Sequence, residues 1–143
     1  MKVTLPLELV PIEQDGYHLF ISGRINGKKA RFMVDTGASR SVVDQDRILS
    51  FFNPGKMVSE KIDIPSVGLG TNSMTGTIIL LDSLSFRRLI LKNYKIVALD
   101  LSHVNQSFHL LKMKKIDGVL GGDLLHRMNA VIDYRKLDLK IEL

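Results

Sequence analysis

Apolar residues fall at every second position at the start of this chain. Val3, Leu5, Leu7 and Leu9 alternate with mostly polar neighbours, a period that suits a strand with one buried face and does not suit a helix. The same signal recurs to the C-terminus in short runs separated by turn residues. Residues 17–25 form a second run, and Asn26-Gly27 is a two-residue hairpin signal because both residues tolerate positive φ. Residues 30–34 return as the partner strand. Pro6 carries no N–H, which assigns the first strand to a sheet edge. Further strands are predicted at 41–43, 57–64, 75–84, 89–91, 94–99, 116–120, 130–133 and 137–143, the last two as a hairpin.

Helix signals are brief. Asp44 reads as an N-cap before Ile48, Leu49, Phe51 and Phe52, and Asn53-Pro54-Gly55 stops that segment. Residues 102–115 read as a loop with a short helix, and Asp123 is placed to cap a helix over 124–128. Many short strands with few helices predict an all-β closed barrel or sandwich. No linker, repeat or low-complexity stretch interrupts residues 1–143, so one domain is expected.

With 45% hydrophobic and 24% charged residues, the 143-residue chain can bury a real core. It has no cysteine, which excludes disulfides and thiolate metal sites and fits a cytoplasmic chain. The alternating N-terminus reads as a strand and not as a signal peptide, and no apolar run is long enough to span a bilayer, so no membrane partner is expected. Net charge is +5, but the basic residues are scattered. The densest cluster, Lys112-Met113-Lys114-Lys115, has no interleaved aromatics to stack on bases, so it reads as a solvated face with no nucleic-acid partner.

The chemistry-bearing stretch is FMVDTGAS at 32–39, an apolar strand that runs directly into an acid. An aspartate there sits on a rigid platform. Burial opposes its charge, while backbone N–H groups and a neighbouring hydroxyl favour it. Gly37 permits close approach, and Thr36 offers a hydroxyl to lock the loop. Asp-x-Gly is also common at ordinary turns, so the tripeptide by itself leaves both meanings open.

Together with IDGVLGGDLL at 116–125, the segment resembles the retropepsin-like aspartic proteases. In that family an apolar strand enters D-[TS]-G-[AS], and a later apolar-apolar-Gly motif opens a short helix. Here Val119-Leu120-Gly121 precedes Asp123-Leu124-Leu125 in the same way. The likeness extends through AVIDY at 130–134 and the terminal LDLKIEL, and it implies a retropepsin-like closed barrel with one or two short helices. It also implies an aspartic endopeptidase acting on a peptide or protein substrate, with Asp35 catalytic and no cofactor or metal. Thr36, Gly37, Ala38 and Ser39 would support the active-site loop, and Leu120, Gly121 and Asp123 would form the structural motif beneath it. A flap is implied over residues 67–76, where Val67, Gly68, Leu69, Gly70 and Met74 would meet substrate. The family uses two aspartates, and this chain has one Asp-Thr-Gly. A homodimer with one Asp35 from each subunit is therefore implied, and strand 137–143 reads equally as part of an intermolecular sheet or as a strand closing its own barrel.

The chain departs from retroviral members at two paired positions. Ser39 stands where they carry aspartate, and Gly122 where they carry an arginine that pairs with it. Ala38 stands where pepsin-like members often carry a serine that donates to the catalytic carboxylate; without that donor a less acidic working range, about pH 5–7, is expected. His18, His103, His109 and His126 have no metal-ligand spacing, and no serine-hydrolase elbow or phosphate loop occurs. A non-catalytic module of the same fold, binding a peptide or protein partner, is the alternative.

Overall fold

The computed structural model describes residues 1–64 and 74–143, and within these the chain is a strand-built barrel with two short helices. Eleven strands carry it: β1 (Lys2–Pro6), β2 (Glu8–Ile12), β3 (Gly16–Ile25), β4 (Lys28–Val34), β5 (Val42–Asp44), β6 (Val58–Ile64), β7 (Met74–Phe86), β8 (Leu89–Leu99), β9 (Gly118–Leu120), β10 (Val131–Asp133) and β11 (Asp138–Glu142). Helix α1 spans Ser102–Leu110 and α2 spans Gly122–Arg127, with a 3-10 turn at Arg47–Phe51.

The larger sheet runs β2-β3-β4-β9-β5-β8-β7-β6, and an extra β3–β7 pairing closes its six central strands into a ring. That closure is short, Arg24 opposite Ser85 and Ile25 opposite Leu84. Strands β2 and β6 hang on the ring as outer partners of β3 and β7. A separate three-stranded sheet, β1-β11-β10, packs Val3, Leu5, Leu139 and Ile141 into the barrel core.

Two apolar clusters explain why several strands read as continuous hydrophobic runs. Leu19 and Ile21 of β3 face the barrel interior, whereas Phe20 between them faces a second cluster with Val42, Val97, Phe108, Ile116 and Val119. Helix α1 covers that outer face: Phe108 meets Phe20 edge-to-face at 5.8 Å between ring centroids. Its buried Asn105 is satisfied by Ile116, donating to the carbonyl at 3.1 Å and accepting the N–H at 2.8 Å. Strands buried on both faces lose the alternation that marks half-buried ones.

The expected elements are present, with informative differences. The first run breaks at Leu7 because the chain there changes sheets, its N–H donating to Leu137 O at 2.9 Å. Residues 89–99 form one strand instead of two. Asn93 takes φ of 50° within it, which asparagine accepts more readily than most residues. The Asn26-Gly27 hairpin has both residues at positive φ, as its two-residue loop requires. The carboxylate of Asp44 accepts the Arg47 N–H at the start of the 3-10 turn (3.0 Å) and also the Leu101 N–H (2.8 Å). The side chains of Lys112, Lys114 and Lys115 are exposed, as a solvated face requires. Strand β11 lies between β1 and β10, so both of its edges are paired within the chain and it is unavailable for an intermolecular sheet. Among the described residues no helix is long and apolar enough to cross a membrane.

Barrel closure leaves no room for a side chain at Gly23, next to the β3–β7 seam. A Cβ there would lie 2.7 Å from Phe86 Cε1 and 2.9 Å from Ser85 O. Gly23→Ala should therefore destabilise the fold by about 1–3 kcal/mol, read as a lower urea midpoint with an unchanged m-value. A midpoint at or above wild type would contradict the closure described.

Candidate active site

Strand β4 delivers Asp35 to its position through parallel pairing with β9. Phe32, Met33 and Val34 lie opposite Gly118, Val119 and Leu120, and the ladder's next bond is Asp35 N–H to Leu120 O at 3.0 Å. On its other side β9 pairs with β5, Val42 opposite Val119 and Val43 opposite Gly118. The loop from Asp35 to Ser41 must therefore pass around the end of β9, where α2 begins.

Within the loop, Asp35 Oδ1 accepts the Gly37 N–H at 2.9 Å and Asp35 O accepts the Ala38 N–H at 3.1 Å. This tight turn leaves Asp35 half-buried and Thr36 and Gly37 exposed. The outer part of the loop is bonded to the Leu120-Gly121-Gly122-Asp123 segment. Gly122 N–H donates to Ala38 O at 2.7 Å and Asp123 N–H to Ser39 O at 3.1 Å. Ser41 completes the lock: its Oγ accepts the Gly121 N–H (2.8 Å) and donates to Asp123 Oδ1 (2.7 Å), which also accepts the Ser41 and Leu124 N–H groups. Gly121 is required because a Cβ there would lie 2.7 Å from the carbonyl oxygens of both Ala38 and Arg40.

Several sequence expectations change their meaning here. Asp123 lies inside the first turn of α2, with Gly121 at the N-cap position, so its carboxylate serves the loop as well as the helix. Main-chain bonds from Gly122 and Asp123 connect the two segments where retroviral members use a side-chain ion pair. Asp123 also acts at longer range, since burial first and then the Asp123 charge push the Tyr94 hydroxyl above its ordinary pKa.

Asp117-Gly118, superficially like half of a second motif, has a structural role. Asp117 is buried; its Oδ2 accepts the Arg31 N–H at 2.8 Å and its Oδ1 pairs with Arg47 Nε at 2.9 Å. Sequence reasoning missed the part played by Ser41 and by Arg47. The signal for Ser41 was its place between the loop and an apolar strand, where a buried hydroxyl needs a partner.

Asp35 opens onto a cleft of about 310 Å³, together with Tyr17, His18, Thr36, Ile132 and Tyr134. None of these four neighbours of the motif at 17, 18, 132 and 134 was marked as a site residue by the sequence. A larger cavity of about 580 Å³ lies between the 3-10 turn and α1, away from Asp35. Size does not make it the better site, because its buried polar groups, Asp44 and Asn105, are already bonded to backbone groups. Strands β6 and β7 form the paired arms expected to carry a flap, in register from Val58 opposite Leu80 to Ile64 opposite Met74. Val67, Gly68, Leu69 and Gly70 lie outside the described residues, and Met74 is described only as the first backbone position of β7.

Comparison with known proteins agrees with this geometry. The chain is similar to a retropepsin-like aspartic protease from Rickettsia conorii, at 25% identity and a TM-score of 0.57, covering 99% of this chain and 89% of that one. It is also similar in fold to the retroviral protease-like domain of Ddi1 from Leishmania major, at 16% identity and a TM-score of 0.54, covering 87% of each chain. No curated protein sequence matches it. The family model described as aspartyl protease matches residues 21–124, which takes in both the Asp35 loop and the Gly121 segment. The fold is retropepsin-like, and the chain belongs to the aspartyl protease family.

Proposed function

We propose that the protein is an aspartic endopeptidase whose catalytic pair consists of Asp35 from each of two identical chains. The observation that carries this reading is the setting of Asp35. It is a half-buried carboxylate at the end of a barrel strand, held by a loop that is keyed into a second motif and open to a cleft. A single carboxylate does not supply both functions that the chemistry needs. Two adjacent ones do, because they cannot both ionise cheaply and so share a proton, as in aspartic proteases generally. One takes a proton from a water held between the pair as that water attacks the scissile carbonyl. The other, protonated, hydrogen-bonds the carbonyl oxygen as charge develops there. Returning a proton to the departing amine completes hydrolysis and restores the pair.

Thr36 and Gly37 shape the turn that presents the carboxylate, and Ala38 and Ser39 give their carbonyls to the Gly121 segment. Substrate is an extended peptide, and residues 67–76, the link between the paired β6 and β7 arms, are proposed to close over it. The exposed aromatic rings of Tyr17 and Tyr134 at the cleft rim favour apolar side chains near the cut.

A peptide-library digest tests the assignment. Asp35→Asn keeps an acceptor for the Gly37 N–H but cannot act as a base, so cleavage should fall on the order of 10³-fold or more, with the circular dichroism spectrum unchanged. Cleavage that survives this substitution would assign the activity to another site.

The pH–rate profile provides an independent check. The Ala38 methyl group supplies no hydroxyl donor to the catalytic pair, so the maximum should lie at about pH 5–7, and Ala38→Ser should move it toward acid. A wild-type maximum below about pH 3.5 would contradict this role for position 38.

A further inference from the structure

Strand β3 lacks a neighbour over three residues of one side. On the side away from β4 it pairs with β2 as far as Phe20, opposite Glu8, and with β7 from Arg24, opposite Ser85. Among the described residues no strand pairs there with Ile21, Ser22 or Gly23. In an antiparallel ladder the two main-chain groups of a residue point to the same neighbour, and successive residues alternate. Asn26 N–H donates to Ser83 O of β7 at 2.9 Å, so the even-numbered residues of β3 present their N–H and C=O on the side away from β4. Ser22 is exposed and offers both groups to the opening.

A cleft of about 570 Å³ lies at this opening and shares no lining residue with the cleft at Asp35. Its charged lining is Arg24, Lys29, Arg31 and Arg87 against the single carboxylate of Glu8, four positive groups to one negative. The register explains the gathering. Ser22 opposes Arg31 and Arg24 opposes Lys29, and directly opposed residues of antiparallel strands share a face. Arg31 is anchored there, its guanidinium 4.1 Å from the Phe20 ring centroid and its Nη2 2.7 Å from Glu8 Oε1. Arg24 Nη1 donates to Gly27 O at 3.0 Å. Lys29 and Arg87 are exposed, and among the described residues neither forms an ion pair. Cations held together in this way repel one another, and an anionic group between them relieves the repulsion.

We propose that this cleft docks an acidic, extended segment of a partner protein, with one residue of the segment hydrogen-bonded to the Ser22 main chain and its carboxylates on Arg24, Lys29 and Arg87. The free N–H and C=O of Ser22 favour a peptide, because an extended chain answers both at once. The cations select its side chains through charge-assisted hydrogen bonds. A residue paired with Ser22 carries its side chain on the face where Arg24, Lys29 and Arg31 stand, so acidic residues at alternate positions suit the site. The opening spans three residues, about 10 Å, so the contact is a short one. Nucleic acid fits less well: the one aromatic residue lining the cleft, Phe20, is fully buried and has no face free for a base. The site uses no residue of the Asp35 loop, and its assignment does not depend on the endopeptidase reading.

A fluorescein-labelled peptide of alternating glutamate and glycine, blocked at both ends, serves as the probe for the full chain, with binding read by anisotropy. It should bind, and the matching lysine-glycine peptide should not. The double variant Lys29→Glu/Arg87→Glu should weaken binding at least about tenfold, with the unfolding midpoint retained because both side chains are exposed and unpaired. In isotope-labelled wild type the Ser22 amide resonance should move on titration, while those of Asp35 and Thr36 stay in place. No binding of the acidic peptide, binding indifferent to the double variant, or a stationary Ser22 amide would overturn the assignment. Tighter binding of a single-stranded oligonucleotide of equal charge would overturn it too, by making the cleft a nucleic-acid site. Docking and cleavage are separable, since Asp35→Asn should bind the acidic peptide as the wild type does whether or not the wild type is a protease.

Discussion

The hydrogen-bonded lock between the Asp35 loop and the start of α2 is the constraint on which the site depends. Its core is Ser41, whose hydroxyl connects the Gly121 N–H to the Asp123 carboxylate, reinforced by Gly122 bonding to Ala38 O. Each member needs the others. Without Gly121 the loop could not lie against β9, and without Asp123 the buried Ser41 N–H and hydroxyl would lose their acceptor. Buried polar groups are costly to leave unpaired, so the arrangement fixes the loop in one geometry. The Asp35 carboxylate is thereby presented from a fixed loop, as the catalytic role proposed for it requires.

The barrel in turn owes its shape to strands buried on both faces. Interior residues such as Leu19, Leu81 and Leu120 close the ring, while Phe20, Val97 and Val119 point outward beneath α1. The same parallel β4–β9 pairing that fills the core therefore brings two sequence-distant motifs together. Stability and site geometry share this one element, and a disturbance at β9 would reach both.

Local chemistry made much of this legible without coordinates. The Asn26-Gly27 hairpin, the strand leading into Asp35 and the short helix after Gly121 all follow from residues adjacent in sequence. Long-range pairing was not legible. Ser41 reaches Asp123 across 82 positions and Asp117 reaches Arg31 across 86, and neither composition nor periodicity encodes such partners. Asp123 read as a helix cap because that interaction is local; its bond to Ser41 is tertiary. The terminal strand was readable as a strand but not in its placement, since its alternation fits a central position as well as an edge. The residues that share the cleft with Asp35 (Tyr17, His18, Ile132 and Tyr134) come from two segments distant from it in sequence and gave no collective signal.

What remains particular to this chain is its single Asp-Thr-Gly, by which the active site proposed above needs two molecules. Mixing tests this most directly. Asp35→Asn chain is equilibrated with wild type at concentrations where both are fully associated, and peptide cleavage is measured per wild-type chain. If two Asp35 residues form one site, the variant enters dead mixed pairs, and activity should fall to about half with equal amounts of the two chains. Activity per wild-type chain that does not change as the variant is added would mean that one Asp35 suffices, and would contradict the account.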